Sequence, residues 1–339
     1  MSLISRLRRN HKAHSNESLT KPPDAPRKFF VHIPKTAGTS FRKSVVDHFG
    51  QQKILQDYGS KKAATSNEIL ACVYKTGDAT AIEDAFSRSE AVMVSGHVSV
   101  AKYAGIIGLP NTTLFVREPV ARVVSHFRHM LRDEGFEGDL LKFIRSPGNQ
   151  NVQSKVLCQL DPALIGVLGI TEQYQASIDI INKRWNWMLN HRKDNISDQM
   201  SDVKVSLSSE EEAEIIKLNA TDLTLYTRAT QVFSNSLACL KSDSASDHRG
   251  AISMAKVNHG ISGWAFDMFS DQATEINVIV NQEVKATLKC MDFRPVLAGW
   301  KVPRRGYIGF HLRNISLKDG DSVEIRDRQH NLVLDSTTV

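Results

Sequence analysis

Cysteine is scarce in this chain: Cys72, Cys158, Cys239 and Cys290 are the four present in 339 residues, far apart and with no CxxC pair. That spacing argues against a zinc site and a disulfide framework, and the expectation is buried free thiols. Long apolar runs are missing as well; none approaches the roughly 20 residues that span a bilayer. The opening MSLISRLRRNHKAHSNESLT carries charge but no apolar core of a signal peptide, so the expected location is cytoplasmic. Glycine (19) and proline (10) are too few for a fibrous chain, and 41% hydrophobic with 24% charged residues excludes a disordered one. An excess of one charge sign is also lacking. The net +6 divides into +5 over residues 1–28, +5 over 29–132, −5 over 133–249 and +1 over 250–339. A protein that covers many phosphates of a nucleic acid needs a denser basic stripe, so no nucleic-acid partner is expected.

What is present suits two folded units, the number that 339 residues suggest. Residues 1–28 are polar, basic and proline-containing and read as a flexible arm. Order begins at Phe29-Phe30-Val31-His32-Ile33, a short apolar run of buried-strand type, followed by a tight loop and a helical pattern from Thr39. The unit recurs at 91–95, at 113–116 before a helix over about 120–131, and at 166–170 before a helix reaching about Lys183. Helices over about 209–219 and 221–238 close the region. Strands alternating with helices predict α/β architecture, a parallel sheet covered on both faces, over 29–240. A linker is expected over 241–250. From 251 to 339 the pattern changes to period two, with strands near 263–267, 275–280, 284–288, 307–312 and 322–326, which predicts an all-β sandwich.

In an open α/β sheet, ligands sit at the loops that follow the strands. Pro34-Lys35-Thr36-Ala37-Gly38-Thr39-Ser40 puts small residues at a helix mouth, where backbone N–H groups and the positive helix end hold phosphate. It is not a Walker A loop, because Lys35 precedes Gly38 instead of following the second glycine. Gly96-His97 lies just beyond a strand and offers a general base near neutral pH. Arg117 follows the next strand, and Ser125 lies eight residues further on, in the helix. An arginine plus a hydroxyl suits a second phosphate.

Together these residues resemble the sulfotransferases that use 3′-phosphoadenosine-5′-phosphosulfate (PAPS), and within them the heparan sulfate 2-O-sulfotransferase-like branch. Phe30-Val31-His32-Ile33-Pro34-Lys35-Thr36-Ala37-Gly38-Thr39-Ser40 resembles that branch's 5′-phosphosulfate loop, and Leu114-Phe115-Val116-Arg117-Glu118-Pro119-Val120-Ala121-Arg122-Val123-Val124-Ser125 its 3′-phosphate motif. Weaker echoes are Ser95-Gly96-His97, Asn151 to Lys155, Gly169 to Glu172 and Asp222 to Tyr226. The resemblance implies a P-loop-like three-layer sulfotransferase fold and in-line transfer of a sulfuryl group from PAPS to a hydroxyl, without a metal. It implies His97 as base, Lys35 as stabiliser of the leaving group, residues 35–40 on the 5′ side of the donor, and Arg117 with Ser125 on the 3′-phosphate. Two departures stand out. Ser95-Gly96-His97 replaces the His-Gly-His of many relatives, and the long basic segments of heparan-modifying enzymes are not evident.

The acceptor is expected to be a carbohydrate. Asn151, Gln153 and Lys155 are candidates for contacting it, with packing or capping as the other reading. Trp264 and Trp300 are placed either to stack on sugars or to fill the core of the β-sandwich, which resembles β-domains appended to bacterial glycan-modifying transferases. Two other readings of the chain are a P-loop kinase or NTPase and a non-catalytic glycan-binding protein on a transferase scaffold.

Overall fold

The computed structural model describes residues 26–191, 207–242 and 246–339. The expected arm lies outside them up to residue 25, and its last residue, Lys28, already belongs to a strand.

Five strands form one sheet: β1 (Lys28–Val31), β2 (Ile54–Asp57), β3 (Met93–Gly96), β4 (Thr112–Val116) and β5 (Val167–Ile170). Their order is β2-β3-β1-β4-β5 and every pairing is parallel. The strands are near-continuous apolar runs because helices cover both faces. Phe30, Phe41, Phe115 and Tyr174 illustrate the packing: Phe30 meets Phe41 at 4.6 Å between ring centroids, Phe41 meets Phe115 at 5.5 Å, and Phe115 stacks on Tyr174 at 5.6 Å. Each such side chain contributes roughly 1.5–3 kcal/mol by burial. From β1 the chain turns outward through helix α1 (Gly38–Phe49) to β2, whereas from β4 it turns the other way to β5. The adjacent ends of β1 and β4 are therefore the switch point of the sheet, where a crevice opens.

Strand β2 was not expected from the sequence. Ile54-Leu55-Gln56-Asp57 is only four residues long and carries two polar ones, so it lacks a period that would mark it.

The C-terminal region is two antiparallel four-stranded sheets. One holds β10 (Asp292–Phe293), β11 (Tyr307–Leu312), β7 (Gly260–Asp267) and β6 (His248–Lys256), in that order; the other holds β13 (Val333–Thr338), β12 (Ser322–Asp327), β8 (Glu275–Val280) and β9 (Glu283–Lys289). The linker expected over 241–250 is a correction. Lys241 ends the helix Ala220–Lys241, and Ser246 to Gly250 are buried, the last three in β6.

That segment is buried because it joins the two units. Arg249, fully enclosed, spans Asp247 (2.9 and 3.1 Å), the Ser236 hydroxyl (3.0 Å) and the Ile165 carbonyl (3.2 Å). Arg228 donates to the carbonyls of Gly250 and Leu334, both at 2.6 Å. The Leu109 amide donates to the Trp300 carbonyl at 3.0 Å, and Lys301 donates to Ile106. Residues 106–111 and 163–166 precede β4 and β5, so the sandwich docks at the N-terminal ends of these strands, the end of the sheet opposite its switch point. Trp264 and Phe266 stack at 5.5 Å and belong to the same buried cluster as the parallel sheet. Trp264 is thus a core residue, and Trp300 is half-buried against that core. Of the cysteines, Cys72, Cys239 and Cys290 are buried free thiols, while Cys158 is exposed.

Candidate active site

The β1 strand ends in a loop whose backbone is unusual. Lys35 (φ 68°) and Ala37 (φ 64°) both adopt left-handed conformations on either side of Thr36, whose buried hydroxyl donates to the Ile33 carbonyl at 3.0 Å. This folds the chain tightly into α1, whose first residue is Gly38. A Cβ at Gly38 would lie 2.1 Å from the His32 ring, so the glycine is needed for His32 to rest on the helix start. Alternating backbone conformations before a helix N-terminus turn successive N–H groups toward one concavity, which favours an anion.

Arg117, at the end of β4, reaches across the switch point and donates from Nη1 to the Lys35 carbonyl at 3.3 Å. The two expected phosphate-binding loops are thereby in direct contact. Arg117 is fixed in turn by the buried Gln153, which accepts from the Arg117 amide and donates to its carbonyl, both at 2.9 Å. Glu118 caps the helix Pro119–Asp133 by accepting from the amides of Val120 and Ala121. Ser125 is buried on that helix.

The β3 end carries His97. Gly96 is fixed by a close approach: a Cβ there would lie 1.9 Å from the Asp57 carbonyl. The His97 ring is open to solvent on one side and packs edge-on to His32 (4.5 Å) and Tyr58 (4.7 Å). Tyr58 also lies within hydrogen-bond distance of His32 Nδ1, at 3.2 Å. Crowding by protein, and then the Arg42 guanidinium, hold the His97 pKa below the usual histidine value. Burial, then His97, Arg42 and Lys35, push His32 down to about 3. Both rings are neutral at pH 7, and a neutral imidazole is the form able to accept a proton.

Beneath β2, the carboxylate of Asp57 is fully buried and receives Lys102, Tyr74 and Tyr103, each at 2.6 Å. Burial alone would raise its pKa, but these hydrogen bonds outweigh that and keep it ionised. The network anchors the strand end against which Gly96 and His97 sit.

Three basic side chains missing from the sequence-based set also belong here. Arg122 is fully buried on the same helix as Ser125; its Nη2 donates to the Asn149 carbonyl at 3.2 Å, while Nε and Nη1 have no partner. Burial lowers its pKa to about 10, with Asp222 opposing and Arg117 adding to the fall, so it stays charged. His126 Nδ1 and Arg42 Nε are likewise buried and unpartnered. The His126 pKa falls to about 4 through burial, then Arg122, His129, Lys35 and His97. Buried polar groups are ordinarily satisfied, and each unsatisfied one costs about 1–3 kcal/mol, more when charged. A cluster of such donors around one crevice fits an anionic ligand with more than one phosphate or sulfate. The signal for Arg122 was in the sequence: a charged residue at a helix position otherwise facing the core.

The three acceptor candidates all bond within the protein. Gln153 spends its amide on Arg117. Asn151 donates from its amide nitrogen to Leu218, and its side-chain oxygen accepts from Asp222 N. Lys155 is exposed and donates to the Pro147 carbonyl at 2.6 Å. Asp222 explains their pattern, because its carboxylate accepts from the amides of Gln153 and Ser154 and from the Ser154 hydroxyl. Through Gln153 the segment braces Arg117. Glu172 similarly joins the Glu118 amide (3.0 Å) to the Tyr226 hydroxyl (3.1 Å).

Among the described residues, no group of three or more His, Cys, Asp or Glu side chains is placed to hold a metal ion, and no helix is long and apolar enough to cross a membrane. No protein-family model and no curated protein matches the chain. Among solved structures, the chain is similar to a sulfotransferase from Alicyclobacillus acidocaldarius, at 13% identity over 61% of this chain and 97% of the other, with a TM-score of 0.33. A likeness so slight carries no conclusion about activity. What is established is an α/β unit with a five-stranded parallel sheet, joined to two antiparallel β-sheets, with Lys35 and Arg117 in contact across the adjacent ends of β1 and β4.

Proposed function

We propose that this chain is a PAPS-dependent sulfotransferase that moves a sulfuryl group to a hydroxyl of a carbohydrate acceptor. The observation that carries the reading is the contact between the Lys35 loop and Arg117, with His97 on the neighbouring strand end and unpartnered cationic donors buried around them. ATP binding by a Walker A loop would call for a lysine that follows the loop glycines and for an acid at the end of β4; here Lys35 precedes Gly38 and Arg117 stands at that strand end.

In this reading the amides of Thr36 to Ser40 and the Lys35 ammonium hold the 5′ side of the donor. Arg117, Ser125 and Arg122 hold the 3′-phosphate. His97 takes the proton of the acceptor hydroxyl as its oxygen bonds to sulfur, and the bond from sulfur to the bridging oxygen breaks to release adenosine 3′,5′-bisphosphate. Lys35 meets the charge that develops on that bridging oxygen. General-base assistance is typically worth about 10²- to 10⁴-fold. Transfer of ³⁵S-sulfate from labelled PAPS to a panel of glycans tests the reading. Labelled product that requires both Lys35 and His97 is expected; transfer of the γ-phosphate of ATP with none from PAPS would sink it.

A further inference from the structure

Eight large apolar side chains are exposed among the described residues, and four of them fall in one short segment of the sandwich: Met291 (54%), Phe293 (49%), Val296 (75%) and Tyr307 (51%). Phe293 and Tyr307 are cross-strand partners on β10 and β11, where β10 is an edge strand. Their rings lie 4.9 Å apart and are tilted by 36°, so they form one broad aromatic surface open to solvent. Neither ring is needed for the sandwich core, which is built from Ile261, Ile276, Val278, Phe310, Val323 and Ile325.

The charge around this surface is one-sided. Residues 289–307 contain Lys289, Arg294, Lys301, Arg304 and Arg305 against Asp292 alone. Arg294 and Arg304 hold the platform in place by donating to the carbonyls of Phe310 (3.0 Å) and Cys290 (2.6 Å). Lys289 and Arg305 remain exposed at its margins. Arg304 and Arg305, both at φ 54°, and Gly306 at 87° form a left-handed turn immediately before Tyr307. Arginine adopts that backbone only at a cost, and the turn fixes Arg305 two residues from the exposed ring.

We propose that this platform binds an anionic polysaccharide chain. Aromatic faces accept the apolar C–H faces of pyranose rings, and the surrounding cations suit carboxylate or sulfate substituents. A second copy of the chain is a poor occupant, because a two-fold interface would set this basic patch against itself. The patch belongs to the sandwich, which docks opposite the switch point, so an acceptor reaching both must be a polymer. The proposal rests on the glycan reading of the acceptor and adds that the acceptor is long and already negatively charged.

The test is affinity electrophoresis of the full chain through gels containing dextran sulfate, alginate or neutral dextran, with single-stranded DNA as a competitor. Retardation by an acidic polysaccharide, weakening as salt rises, is expected. Phe293→Ala/Tyr307→Ala should weaken it about tenfold and Arg305→Glu comparably, with thermal melting unchanged because these side chains are exposed. Binding unaffected by either variant overturns the proposal. So does DNA binding that matches or exceeds polysaccharide binding, or a dimer that dissolves in the aromatic variant. Lys35→Ala separates the two claims: it should bind polysaccharide normally while losing transfer, so failure of the reaction and failure of the platform are read independently.

Discussion

Arg122 is a guanidinium buried without enough partners, so its substitution separates folding from function. Arg122→Met removes an uncompensated buried charge, and the ligand-free protein should melt at the same temperature or higher. The same variant should lose most of the stabilisation that adenosine 3′,5′-bisphosphate gives the parent protein, about 2.7 kcal/mol when the ligand is at a hundred times its dissociation constant. Thermal melting with and without ligand checks both halves. At His97 the sign of the pH effect follows from the depressed pKa: burial and Arg42 disfavour the protonated ring, so the base form persists below the usual histidine pKa. The value of kcat/KM should therefore stay flat from neutral pH down to about 6.5 and fall only in more acid solution. Arg42→Gln removes the nearby cation and should move that acid limb to higher pH. A limb that does not move would remove Arg42 from the account of His97.

The positions of Lys35, His97 and Arg117 were legible in the sequence because motif spacing ties each to a strand end, and that of Ser125 because a helical pattern follows Arg117. Asn151, Gln153 and Lys155 carried two readings, acceptor contact and packing or capping, and the sequence does not choose between them for a physical reason. A polar residue near a motif looks the same whether it braces the site or faces a ligand, and only the bonds of Gln153 to the Arg117 backbone decide. Arg122 was overlooked because periodicity says that a position is buried, not that a charge there is left unpartnered.

The elements that matter most are the strand ends. Strand β2 escaped sequence reading, yet it supplies Asp57, whose carbonyl fixes Gly96 and whose carboxylate gathers Lys102, Tyr74 and Tyr103. Asp57→Asn leaves the Lys102 ammonium without its counter-charge and should cost roughly 1.5–3 kcal/mol in a urea titration, the range for a hydrogen bond to a charged group, because Lys102 keeps part of its side chain in water. Because the pKa of Asp57 is depressed in the folded protein, its contribution is fully present above the unfolded carboxylate value near 3.9 and is lost as pH falls through the folded value. The variant's penalty should accordingly shrink in strong acid. A penalty that is constant down to low pH would mean that the carboxylate charge is not what holds the strand end. The other four strands of the parallel sheet were visible as short apolar runs, and β7, β8, β9, β11 and β12 as alternating ones. Strand β6 was obscured because its start, His248-Arg249-Gly250, is polar and buried at a junction, where composition reads as a linker.

The whole molecule is joined through that junction. Arg249 and Arg228 bond across it, and Trp264, Phe266, Val302 and Ile308 share a buried cluster with the parallel sheet. Interfaces this apolar couple their two sides, so calorimetry should show one unfolding transition for both units. Truncation after residue 242 should leave an insoluble α/β unit. Two well-separated transitions would contradict the shared core.

The net charge also resolves at this scale. Of the basic residues within 29–132, Lys35, Arg42, Arg117 and Arg122 lie around the ends of β1 and β4, where a doubly phosphorylated nucleotide is the proposed ligand. Equilibrium binding of adenosine 3′,5′-bisphosphate, measured by calorimetry beside ATP with Mg²⁺, tests that proposal most directly. Preferential binding of the bisphosphate, weakened at least tenfold in Arg117→Ala, is the predicted result; tighter binding of ATP with Mg²⁺, or bisphosphate binding that does not depend on Arg117, would contradict it.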